Sequence, residues 1–236
     1  ERFEREQAEY EAKMAQRQAK QASTGKKPGG KPPKRPQTGP QAEDQINLTD
    51  EDSRIMKVAG GGFEQCYNAQ AVVDTESMLV VAPHITTAGN DKEQVAPMLE
   101  CIQALPDGLN QPARLLADTG FYSERNVQHC HDAGVEPLIA VGRDAHHLDW
   151  RSRFEEPAPL ATPTSHVEQM KHALKTQAGR AAYALRKQTV EPVFGIIKSV
   201  MGFRQFLLRG VGNVRNEWTL VCLAWNFKRM AALRLQ

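Results

Sequence analysis

Apolar positions recur at two spacings in this chain, every second residue through its middle and every third or fourth towards its end. Residues 65–73 and 78–85 read as two strands joined by the turn-prone Asp74-Thr75-Glu76-Ser77, which makes a hairpin. Val95, Met98, Leu99 and Ile102 then follow helical spacing, with Asn90-Asp91 as a cap before them and Pro106-Asp107-Gly108 as a stop. Residues 114–117 form a short buried strand, Ser123 caps a helix running to Ala133-Gly134, and 137–141 form another buried strand. From Lys171 the pattern is helical. Val190, Val193, Phe194, Ile197, Val200 and Met201 make one apolar stripe, and Val214, Trp218, Val221, Cys222, Trp225 and Met230 a second. Pro192 suits a first turn far better than a helix interior, so Thr189 is expected to cap a helix that starts there.

The remaining stretches lack such patterns. Residues 1–21 are rich in Glu, Ala, Gln, Arg and Lys and read as a solvated helix that continues an upstream region. Residues 22–45 hold five prolines and the basic run from Lys26 to Arg35, which cannot build a core and predict a disordered linker. The globular part is expected over 46–236, interrupted by a polar insertion at 142–168 that carries Pro157, Pro159 and Pro163. Hairpin, helix, strand, helix, strand and closing helices together predict a mixed α/β fold. The chain begins with Glu1 and not Met, as a fragment would.

Charge alters this picture, because the net value of +2 conceals segregation. Residues 13–35 hold 8 basic and no acidic residues, 43–170 hold 8 basic and 21 acidic, and 171–236 hold 12 basic and 2 acidic. Basic ends favour a polyanion through counterion release, and carboxylates between them can hold cations that bridge to phosphate. Nucleic acid is the expected partner. The four cysteines form no CxxC pair, which excludes a zinc ribbon and a disulfide framework. No apolar run approaches the roughly 18 residues of a membrane span and no signal sequence opens the chain, so a soluble cytoplasmic protein is expected.

Two carboxylates stand out by position. Asp118 follows the apolar Leu115-Leu116-Ala117 and precedes Thr119-Gly120, at the strand edge where open α/β sheets place ligands; it could equally stabilise a turn. Glu191 borders the stripe of Val190, Val193, Phe194 and Ile197, with Lys198 seven positions on along the same side. Tyr183 and Lys187 extend that line backwards. An ordinary solvated Glu/Lys pair would look the same.

Four strings in order separate these readings: Asn47-Leu-Thr-Asp-Glu-Asp-Ser-Arg-Ile-Met56, Tyr67-Asn-Ala-Gln-Ala-Val-Val-Asp74, Leu116-Ala-Asp-Thr-Gly-Phe-Tyr-Ser123 and Val190-Glu-Pro-Val-Phe-Gly-Ile-Ile-Lys198. With them the stretch from Asn47 to Leu233 resembles the DDE transposases of bacterial insertion sequences. Tyr183, Arg186, Glu191 and Lys198 resemble the family's Y-R-E-K signature, with the step from Arg186 to Glu191 one residue longer than usual. The resemblance implies an RNase H-like fold and cleavage and strand transfer of double-stranded DNA at element ends. Two Mg²⁺ (or Mn²⁺) ions would be held by Asp118, Glu191 and a further Asp on a first strand that precedes residue 1. It also implies DNA contacts from Tyr183, Arg186, Lys187, Lys198 and Arg204, homo-oligomers on DNA, and association with the bacterial nucleoid. Without the first Asp, the piece is expected to be inactive by itself.

Other readings are weaker. Leu116-Ala-Asp-Thr-Gly-Phe121 also fits the short pattern of retroviral-type aspartic proteases, but that fold is all-β and helices dominate here. A DNA-binding remnant without catalysis is the nearer rival. Asp74 lies in a hairpin turn and makes a poor substitute for the first Asp. His129-Cys130-His131 and His146-His147 lack a completing cluster for zinc, Gly60-Gly61-Gly62 reads as a turn, and Trp218 and Trp225 read as core.

Overall fold

The computed structural model describes residues 2–25, 29–39, 47–58, 60–142, 155–160 and 165–234. Two compact units divide the chain, Glu1–Ile46 and Asn47–Gln236. In the first, helix α1 (Arg2–Thr24) is exposed along most of its length, and Arg17 reaches back to the carbonyls of Gly29 and Gly30 at 3.3 and 3.2 Å.

The second unit is mixed α/β. Strands β1 (Arg54–Lys57) and β2 (Phe63–Cys66) pair antiparallel around a turn in which Gly60, Gly61 and Gly62 all adopt positive φ, as the glycine reading expects. Strands β3 (Asn68–Val73) and β4 (Val80–Thr86) form the expected hairpin, with Asn68 opposite Thr86 and an irregularity between Val72 and Val73. Helix α2 (Val95–Gln103), strand β5 (Arg114–Ala117), helix α3 (Glu124–Asp132) and strand β6 (Glu136–Ile139) follow, β5 and β6 running parallel. Helices α4 (His166–Ala173), α5 (Gln177–Ser199) and α6 (Val211–Leu233) complete the unit. Most of the expected insertion, 143–154 and 161–164, lies outside the described residues, His146 and His147 included.

Alternation along the hairpin explains its burial on both faces. Ala69, Ala71 and Val73 join Val193 and Ile197 of α5 and Val214, Trp218, Cys222 and Trp225 of α6 in one core, while Val72 and Ala82 pack with Val95, Met98, Leu99 and Ile102 of α2 in a second. Side chains of α6 also bind the hairpin's main chain. Trp218 Nε1 donates to the Gln70 carbonyl (2.9 Å), Trp225 Nε1 to that of Met78 (2.8 Å), and the Asn226 amide bonds both the N–H and the C=O of Val80 (2.8 Å each). The two tryptophans are therefore core residues with satisfied donors, as expected.

Two sequence expectations are corrected. Thr189 is not a helix cap: α5 runs unbroken through it and holds Pro192 in its interior. Thr189 is buried and its hydroxyl donates to the carbonyl of Leu185 (2.9 Å), one turn earlier. Packing of Val193 and Ile197 on the core outweighs the local penalty of the proline. Nor do Asn90-Asp91 cap α2, whose N-cap is Gln94 without a side-chain bond. Asp91 Oδ1 instead accepts from the side-chain amides of Asn68 (2.8 Å) and Gln70 (2.7 Å).

Candidate functional site

Ala117 ends β5, and Asp118 begins the single 3-10 turn Thr119–Phe121. Its Oδ1 accepts from the N–H of Gly120 at 2.8 Å, which fixes the carboxylate at the strand's C-terminal end while leaving the residue exposed. Ser123 accepts from Asn126 N–H at 3.1 Å and starts α3 as expected, so the chain turns away at once and leaves Asp118 at the edge.

Glu191 lies on the exposed side of α5, where its Oε1 meets the guanidinium of Arg186 at 3.3 Å. Five residues place two side chains about 140° apart on an ideal helix, so Arg186 must reach around to make this pair. Arg186 is the more buried partner, with 18% of its side chain exposed against 57% for Glu191, and it lies over the Tyr183 ring at 5.8 Å. Pro192 has no N–H to offer the Gln188 carbonyl, which loosens the helix where the pair forms. Lys198, exposed and about 10 Å further along the axis, carries its amine 5.9 Å from the Phe194 ring centroid. Lys187 and Arg204 are exposed as well. Tyr183, Arg186 and Glu191 thus form one group, and Lys198 stands two turns away.

One cavity relates Asp118 to Glu191. Ala117 and Val190, the residues immediately before each, both line it, together with Arg186, Thr189 and parts of β3 and β5. Helix α5 packs against both of those strands.

Asp91 is a neighbour the sequence did not reveal. A methyl placed on Gly120 would lie 3.0 Å from Asp118 Oδ1 and 3.4 Å from Asp91 Oδ2, so both carboxylates face the same small space beside Gly120. The only signal was the alternation of Asn68 and Gln70, two amides on one face of an otherwise apolar strand.

Other acidic residues are committed elsewhere. Asp50 accepts from the Tyr67 hydroxyl (2.7 and 2.8 Å) and from Gly210 N–H (3.2 Å), and Asp52 from Val211 N–H (3.0 Å), so both neutralise the start of α6. Burial, then the bond and charge of Asp50, push the Tyr67 phenol well above its ordinary range. Asp74 accepts from the Ser77 backbone (2.7 Å) and hydroxyl (2.6 Å). Burial works to raise its carboxyl, but these bonds outweigh it and hold the group below the usual value. Cys130 and Cys222 are buried, which pushes each thiol up to about 12 and makes them inert. His131 stacks on His166 at 3.5 Å and His129 accepts from Arg125 (3.0 Å), while among the described residues no three His, Cys, Asp or Glu gather closely enough to share a metal ion.

Comparison with known families decides what kind of protein carries this site. A model of the transposase DDE domain matches residues 32–227. The chain belongs to the DDE transposase family. No curated protein and no solved structure matches it. DDE transposases are enzymes of the polynucleotidyl-transferase kind that act on DNA and generally use a divalent metal. Among the described residues of this DDE domain, no helix is long and apolar enough to cross a membrane.

Proposed function

We propose that this DDE domain cleaves and transfers DNA strands at the ends of an insertion sequence, with Asp118 and Glu191 as the carboxylates that hold the divalent ion. The observation that carries the reading is the cavity whose walls include both Ala117 and Val190, each one residue before a proposed ligand on a different element. Carboxylate oxygens are the donors Mg²⁺ prefers, and Mg²⁺ takes one or two of them while keeping waters, so the two residues fit the ion. When bound, such an ion supplies charge stabilisation at the phosphate and an activated oxygen nucleophile.

The chain's own groups have separable parts in this proposal. Gly120 N–H holds the Asp118 carboxylate in one orientation. Arg186 orients Glu191 through their ion pair and is itself placed by Tyr183. Lys187, Lys198 and Arg204, all exposed, contact the DNA backbone without reading its sequence. A third carboxylate completes the set, and the enzyme works as a homo-oligomer on paired ends.

Nicking of double-stranded DNA bearing the element's ends, by the full open reading frame with Mg²⁺ or Mn²⁺, tests this. Asp118→Asn and Glu191→Gln should each lower the rate by more than the 10- to 100-fold typical of losing an outer-shell partner, roughly. Nicking that neither substitution changes, or that persists in EDTA, overturns the assignment. Binding without any nicking would leave a DNA-binding remnant.

A further inference from the structure

We infer that the outward face of α6 is an interface between two copies of this chain, formed before DNA or metal arrives. Leu220, Leu223 and Phe227 each stand two positions from Trp218, Cys222 or Trp225 of the buried face, which is about 200° around the helix, and Met230 continues their line. These four side chains are 40–65% exposed. From Thr219 to Phe227 the helix holds no charged residue, and Arg229 turns inward to the Ser77 carbonyl at 2.7 Å. A helix that is apolar on all sides belongs in an interior, so one face of α6 is still to be covered. Leu207 and Leu208 widen the patch. They are 50–75% exposed, and the Glu217 carboxylate, one turn before Leu220, holds both of their main-chain N–H groups.

The spacing selects the occupant. Leu220, Leu223, Phe227 and Met230 follow one another at steps of three, four and three, which read the same in both directions. A two-fold axis between Leu223 and Phe227 therefore sets Leu220 of each copy against Met230 of the other, and Leu223 against Phe227, as an isologous contact requires. Such steps are those of the seam between two packed helices. Ala224 and Ala231, exposed beside it, allow axes to approach to about 8–10 Å. Antiparallel pairing also keeps the exposed cations Lys228 and Arg234 of one copy away from those of the other and opposes the two helix dipoles, whereas a parallel pair would do neither. At roughly 100 Å² of apolar surface per exposed side chain, the six from each copy together bury about the 1,000 Å² that a specific interface needs. The uncharged stretch offers phosphate no partner, so DNA is not the occupant. Self-association on paired ends is part of the proposed function; the α6 contact goes beyond it, since it needs neither DNA nor the proposed metal ligands.

Sedimentation equilibrium of the full-length protein, without DNA or metal, tests this. A dimer that dissociates on dilution is expected. Leu223→Glu combined with Phe227→Glu should raise its dissociation constant at least about 100-fold, with an unchanged circular dichroism spectrum at a dilution where both proteins are monomers. Leu220→Lys and Met230→Glu test the register. Each alone should weaken the dimer, and the two in one chain should recover at least about tenfold in affinity over either, because the antiparallel pair then sets each new ammonium against a new carboxylate. That recovery decides the matter even if the doubly acidic variant fails to fold. A monomer at every concentration, a dimer that the doubly acidic variant keeps intact, a dimer seen only with DNA, or a charge-paired variant no better than its singles overturns the inference. Nicking is not read, so the result is independent of Asp118 and Glu191.

Discussion

Gly120 separates two carboxylates, and its missing side chain is what lets Asp118 and Asp91 face one space. Its φ lies outside the left-handed region, so its backbone accepts an L-residue; only the methyl would intrude, 3.0 Å from Asp118 Oδ1. Gly120→Ala should therefore change unfolding free energy by no more than about 0.5 kcal/mol while lowering nicking by the full-length protein roughly 10- to 100-fold. Urea denaturation and the nicking rate, measured on the same preparation, check the two halves. A large loss of stability with unchanged nicking would show that Gly120 serves the fold alone. Asp91 differs from Asp118 in what holds it, two side-chain amides of β3 instead of one backbone N–H.

Helix α5 shows how an element can override its own sequence. Pro192 costs an interior helix about 3 kcal/mol, yet the helix continues because Val193 and Ile197 are buried against the hairpin and α6. Pro192→Ala should stabilise the protein by about 1–3 kcal/mol, read as a higher urea midpoint; destabilisation would mean that the proline's local geometry is needed for that packing. The same competition decides what the sequence disclosed. The hairpin, α2, β5, α3, β6 and the two closing helices were legible because each meets a core and leaves an apolar run or a periodic trace. Strand β1 was not, and the end of β2 was read as the start of β3, since most of their residues are exposed and no alternation marks them. The roles of Thr189 and Asp91 depend on contacts that periodicity does not encode, whereas Asp118 was legible because a strand ended just before it. Arg186 reaches Glu191 across a spacing that looked one residue too long, because a guanidinium arm tolerates what a short side chain would not.

On the scale of the whole molecule, the positive excess of residues 47–236 gathers in residues 171–236, within the α4–α6 third that carries Glu191. If Lys198 and Arg204 each meet a phosphate, Lys198→Ala and Arg204→Ala should weaken DNA binding similarly on every sequence. Each should also reduce the slope of log affinity against log salt by about 1, measured by anisotropy titrations across a salt series. A loss confined to one DNA sequence would make the residue a reader of bases instead. The hairpin's far side has a consequence of a different kind. Asn226 occupies both main-chain groups of Val80 much as a neighbouring strand would, and Pro83 further along β4 has no N–H to donate. That margin offers little for a stray strand to join, so this edge of the hairpin is protected from pairing with another chain into insoluble sheets.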